Sequence, residues 1–183
     1  DLLEMAATLE GHPDNVAAAI HGGLQLVVKD RDLLYTAPIA TPPDLNAVLF
    51  IPELRIATAA ARDVLPDKVS MADAVHNMSR TALLVAGMAT NRPAYLGVAT
   101  EDCLHQPYRQ LLFPAMKLLF NAALGAGALG VFLSGSGSTV LALAQGREMT
   151  VAYEMAEAAR QADVAGRVHI TRPTSQGVHQ LEE

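Results

Sequence analysis

From residue 46 onward the spacing of apolar residues changes in a fixed order, and that order limits the fold more than any other feature of the chain. "NAVLFI" has the make-up of a strand. "ELRIATAAARDVL" then reads as a helix, with Pro52 at the helix start, where a missing N–H costs nothing. Ser70 caps a long helix from Met71 to about Thr90. "AYLGVATEDCLHQPYR" reads as a short helix ending near Pro107, and "YRQLLFPAMKLLFNAALGAGA" as another that Pro114 splits. "LGVFLSGSGSTVLALA" is two strand-like runs around a Gly/Ser loop, "REMTVAYEMAEAARQAD" an amphipathic helix and "GRVHITRPT" a last strand. Strand, helices, strand, strand, helix, strand is an α+β order, which predicts an antiparallel sheet with helices packed on one face.

The residues before this block read differently. Leu2, Leu3, Met5, Ala6 and Leu9 recur at helical spacing until Gly11 and Pro13 end the helix. Asp14 or Asn15 can cap a second helix, "VAAAIH", which Gly22 and Gly23 stop. "LQLVV" and "LLYTAPI" pair across "KDRD" as a hairpin. "TPPD" at 41–44 is a hinge, so the expected division is residues 1–43 and 44–183. The chain starts inside an amphipathic pattern without an initiator Met, as a section of a longer chain would.

Charge and cysteine usage narrow the partners. The net charge is −6, no Lys/Arg cluster is present, and there are only four Phe, four Tyr and no Trp, which argues against a nucleic-acid surface. The longest apolar runs are broken by Gly and Pro, so no membrane span is expected. One cysteine, Cys103, excludes an internal disulfide and fits a reducing cytoplasm.

Three groups of residues could carry chemistry. Glu4 stands eleven positions before Asn15, about 16 Å along a straight helix, and the break at Gly11 and Pro13 can shorten that distance. A carboxylate could there hold a hard divalent ion while His12, Asp14 and Asn15 bind a polar ligand; the plainer alternative is a helix cap. In "LSGSGST" (133–139) the glycines let backbone N–H groups approach an anion, although a hairpin turn would use the same residues. No Gly-Lys-Thr/Ser follows, and a strand rather than a helix comes next, which excludes a Walker loop and disfavours a dinucleotide fingerprint. Arg80 and Arg109 could grip a small acid with their planar forks, or could simply be surface residues. Arg80 belongs to a polar stripe with Asp73, His76 and Asn77, opposite an apolar face that includes Met71, Val75 and Met78. His76 and His105 lie near the arginines in sequence. Met5, Met71, Met78, Met88, Met116 and Met155 read as core filler.

Taken in order, "EGHPDNVAAAIHGG", "NMSRTALLV", "HQPYR" and "GVFLSGSGSTVLALA" resemble the homoserine kinases, a branch of the GHMP small-molecule kinase superfamily. The likeness runs from Glu4 to about Ala144, and "GHPDNVA" is its most diagnostic piece. It implies the GHMP kinase fold: part of an N-terminal nucleotide-binding domain, then a ferredoxin-like α/β sandwich. It also implies ATP-dependent phosphorylation of the L-homoserine hydroxyl on the route to threonine, with Mg2+, and it allows a homodimer.

Carried over by position, Glu4 falls at the magnesium-binding glutamate, and His12, Asp14 and Asn15 surround the amino acid. Arg80 and Arg109 match arginines that hold its carboxylate. Gly135, Ser136 and Gly137 match the motif that supports the phosphate loop. Asn15 stands where several relatives keep a catalytic aspartate, so its part is positioning. Ala18 and Ser138 replace prolines usual in the family. The family's main ATP-binding loop would precede residue 1, so the chain by itself is expected to be inactive. Another GHMP kinase, or an amino-acid-binding regulatory domain without catalysis, are the rival expectations.

Overall fold

The computed structural model describes residues 2–180. Helices α1 (Leu2–Glu10) and α2 (Asp14–His21) lead into an antiparallel hairpin of β1 (Leu24–Asp30) and β2 (Leu33–Ile39). The hairpin turn places Arg31 at a φ of 54°, a conformation that costs a non-glycine residue some strain.

The rest is built on a four-stranded sheet in the order β4–β5–β3–β6, antiparallel throughout: β3 is Asn46–Pro52, β4 Gly130–Leu133, β5 Val140–Ala144 and β6 Gly166–Thr171. Helices α3 (Thr58–Asp63), α4 (Met71–Ala89), α5 (Leu96–Ala99), α6 (Gln106–Arg109) and α7 (Met116–Gly125) lie between β3 and β4, and α8 (Glu148–Gln161) between β5 and β6. This is the ferredoxin-like βαββαβ arrangement, and it carries the α+β class read from the sequence.

Helices cover both faces of the sheet, not one as expected. Val48, Phe50, Val140 and Ala142 pack with Phe113, Met116, Leu119, Val151 and Met155 in one cluster. Leu141 and Leu143 alternate with Val140 and Ala142 along β5, so they point the other way, toward Leu45, Met88 and Leu96. An unbroken apolar strand, "VLALA", is the mark of burial on both sides. Met88, Met116 and Met155 are buried, but Met5, Met71 and Met78 are 64%, 78% and 62% exposed and fill no core here.

Three helix boundaries also differ from the sequence reading. Pro52 ends β3 opposite Gly166 instead of opening a helix, and Glu53 N–H extends the ladder by donating to Ala165 O at 2.9 Å. The next helix therefore begins only at Thr58. Pro107 stands in the first turn of α6 rather than at a helix end, because α5 stops at Ala99. Pro13, not Asp14 or Asn15, is the residue preceding α2, and it makes no side-chain cap.

Ser70 does cap α4: its Oγ accepts from Asp73 N–H at 3.0 Å and donates to Asp73 Oδ2 at 2.7 Å. Ser70→Ala is expected to cost about 1 kcal/mol of stability, measured by urea unfolding. After β6 the chain returns to α2, where Gly23 N–H donates to Thr174 O at 2.6 Å. Gly22 is required there: a Cβ on it would stand 2.5 Å from Ser175 O. No helix among the described residues is long and apolar enough to cross a membrane.

Candidate functional site

The α1–α2 break makes a small cleft of about 200 Å³ lined by Glu4, Thr8, His12, Lys29 and Asp32. Gly11 turns the chain at φ 86° and brings His12 back toward the start of α2. His12 Nδ1 lies 2.9 Å from Asp14 Oδ1, and that oxygen also accepts from Asn15 N–H at 2.8 Å. Asp14 thus satisfies a free helix N–H from within the first turn. The Asn15 side chain is exposed beside it. Among the described residues no group of three or more His, Cys, Asp and Glu could hold a metal ion; the carboxylates that border this cleft are Glu4 and Asp32.

The second constellation is built on the segment from Glu101 to Arg109. Asp102 organises it: Oδ1 accepts from Asn77 Nδ2 at 2.6 Å and Leu104 N–H at 3.1 Å, and Oδ2 from His105 N–H at 3.0 Å and Gln106 N–H at 2.6 Å. Burial works to raise the Asp102 carboxyl, but the donors from Gln106, Asn77 and His105 outweigh it and hold the group below its ordinary value. Gln106 is buried, and its Oε1 accepts from Leu133 N–H at 2.8 Å, which ties α6 to the base of the Gly/Ser loop.

Arg109, at the end of α6, reaches three elements. Nε donates to Ala61 O of α3 at 3.2 Å, Nη1 donates to Gly135 O at 3.0 Å, and Nη1 lies 3.2 Å from His105 Nδ1. A guanidinium has five N–H donors, so these contacts use the donors on Nε and Nη1 and leave those on Nη2 for a ligand. Burial, moderated by Asp102 and joined by the charge of Arg62, lowers the Arg109 pKa from its usual range.

The Gly/Ser loop closes with Ser134 N–H donating to Thr139 O at 2.9 Å and Gly137 N–H to Ser134 O at 3.1 Å, with Gly135 and Gly137 at φ 57° and 89°. The Ser138 hydroxyl donates to Leu54 O. Gly135 faces Arg109, while residues 137–139 border a cleft of about 670 Å³ that also holds Arg55 and Arg167.

Arg80 does not join Arg109. Its Nη2 and Nε meet Glu101 Oε2 at 2.8 and 3.3 Å, so the two arginines hold opposite ends of one segment. The polar stripe of α4 is accordingly half-buried against residues 101–103: Asn77 Oδ1 accepts from Cys103 N–H at 3.0 Å. Burial and Asp73 push the Cys103 thiol up. Arg62 was not singled out from the sequence, since it reads as one more polar residue on the helix "ELRIATAAARDVL". The signal was the run of small residues before it, "ATAAAR", which lets Arg109 approach the α3 backbone at Ala61.

Comparison with known proteins places these features. Residues 82–165 match the family model described as GHMP kinases C terminal. A homoserine kinase of Moorella thermoacetica is 45% identical over 177 residues, covering 97% of this chain and 60% of that protein. One from Synechocystis is 41% identical over 170 residues, 92% of this chain and 56% of that protein. The crystal structure of a homoserine kinase from Cytophaga hutchinsonii superposes with a TM-score of 0.88 at 30% identity, over 96% of this chain and 56% of that one. The chain thus spans about 60% of the length of these relatives or slightly less. Motif order, strand order and these likenesses agree: the chain carries the GHMP kinase C-terminal domain and is similar along almost its whole length to homoserine kinases.

Proposed function

We propose that the chain forms the substrate-side part of a homoserine kinase, which transfers the γ-phosphoryl group of ATP to the hydroxyl of L-homoserine in the cytoplasm and so supplies threonine biosynthesis. The observation that carries this reading is Arg109, anchored through Nε and Nη1 with Nη2 left for a carboxylate, in a chain whose relatives are named homoserine kinases. An amino acid substrate supplies that carboxylate.

Arg109 binds the carboxylate together with Arg62, whose charge acts on it. Arg80, occupied by Glu101, braces the segment that carries Arg109. His12, Asp14 and Asn15 orient the amino acid; the amide of Asn15 cannot take up a proton, so the hydroxyl proton passes to a phosphate oxygen. Phosphoryl transfer tolerates this because alignment and charge stabilisation supply most of its rate. The backbone of Gly135, Ser136 and Gly137 supports the phosphate side.

Mg2+ is usually held by one or two protein carboxylates with phosphates and water, and Glu4, on the wall of the α1–α2 cleft, would be the residue that holds it. When bound, the ion would neutralise phosphate charge.

The test is phosphate transfer by the full-length enzyme. ATP and L-homoserine should yield O-phospho-L-homoserine, followed by 31P NMR. An enzyme inert toward homoserine but active on another alcohol would overturn the substrate assignment.

A further inference from the structure

His105 has no part in the mechanism above, yet it touches the residue on which that mechanism depends. Its Nδ1 lies 3.2 Å from Arg109 Nη1, and its Nε2 lies 3.7 Å from Asp102 Oδ1. Arginine only donates, so Nδ1 must accept, which puts the ring proton on Nε2, on the side of the Asp102 carboxylate. Asp102 is itself fixed by Asn77 and by backbone N–H groups, so the ring is held from a rigid base.

We propose that His105, neutral with its proton on Nε2, is the positioning residue that turns the Arg109 fork so that Nη2 faces the substrate carboxylate, and that protonation of the ring releases this grip. The inference rests on the carboxylate-binding role of Arg109 argued above. A protonated ring would present a donor to a donor and a positive charge to a positive charge at the same contact.

Among the described residues, the charged groups that act on the imidazole are Asp102 and Arg109. Asp102 lies on its own segment and Arg109 on α6; Arg62 of α3 acts on Arg109, and Asp73 of α4 acts on Cys103. Burial and Arg109 disfavour the cationic ring, and Asp102 only partly offsets them, so the group titrates below its ordinary 6.5. The grip therefore holds at neutral pH and weakens on acidification.

Two measurements on the full-length enzyme test this separately from the substrate assignment. Long-range 1H–15N NMR of the His105 ring needs no substrate: Nδ1 should be unprotonated and Nε2 protonated at pH 8, and a proton on Nδ1 would overturn the inference whatever the enzyme phosphorylates. Steady-state kinetics form the second arm. His105→Ala should raise KM for homoserine about tenfold with kcat within about twofold, a loss near 1.4 kcal/mol. His105→Asn, which keeps an acceptor at the Nδ1 position, should restore most of it. In the wild type KM should climb as pH falls through the folded pKa of His105, which lies below 6.5, whereas in His105→Asn it should stay flat over the same range. A profile shared by both proteins, or no rescue by asparagine, would show a merely structural histidine.

Discussion

Arg109→Ala in the full-length enzyme is expected to raise KM for L-homoserine by about 100- to 1,000-fold while KM for ATP changes by no more than a few-fold. Removing one partner of a desolvated, hydrogen-bonded charge pair costs roughly 2–5 kcal/mol, which sets that range. The guanidinium is also the donor for Ala61 O and Gly135 O, so the variant loses a brace between α3 and the Gly/Ser loop. Arg109→Lys should fare little better, because an ammonium on a flexible stem cannot meet two carbonyls, an imidazole and a carboxylate in one plane. Arg80→Ala is the control. Its partner Glu101 is largely exposed, pairs of that kind are worth about 0–1 kcal/mol, and the effect on KM should be at most about fivefold. Equal losses in homoserine and ATP binding by Arg109→Ala would remove the arginine from the carboxylate site.

The residues read most reliably from the sequence are those whose role is local. Ser70 caps α4 by contacts within one turn, and the β4–β5 hairpin follows from two apolar runs around Gly135 and Gly137. What the sequence concealed depends on distant partners. Arg80 and Arg109 look equivalent as isolated arginines; only the fold puts Glu101 on one and Ala61 O and Gly135 O on the other. The apolar side of α4 reads as the core side, yet Met71, Val75 and Met78 are exposed while Asn77 is drawn inward by Asp102 and Cys103. Periodicity finds an amphipathic helix but is blind to a polar stripe whose hydrogen bonds are met by another segment. Pro52 shows the same limit: a good first residue for a helix is equally at home closing a strand when the ladder continues through Glu53 N–H.

Asp102→Ala is expected to be the most destabilising polar substitution at the site, by about 3–4 kcal/mol, or a fall in Tm of about 10 °C. It deprives the amide of Asn77 and the N–H groups of Leu104, His105 and Gln106 of their acceptor, so α6 loses its start and Arg109 its footing. Asp102→Asn keeps an acceptor at Oδ1 and should recover part of the loss. The pH dependence follows from the direction of the shift. With the folded carboxyl held below its ordinary 3.8, its contribution is fully present above that value and is lost as pH falls through the folded pKa. His105 adds to the same slope earlier: its folded pKa lies below 6.5, so protons favour the unfolded chain as soon as pH drops past that point. Urea unfolding at pH 7, 5 and 3 separates the two groups. Both proteins should lose stability between pH 7 and 5 through His105, and the gap between wild type and Asp102→Asn should close toward pH 3. A gap that stays constant from pH 7 to 3 would mean that the Asp102 charge contributes nothing beyond the acceptor that asparagine retains.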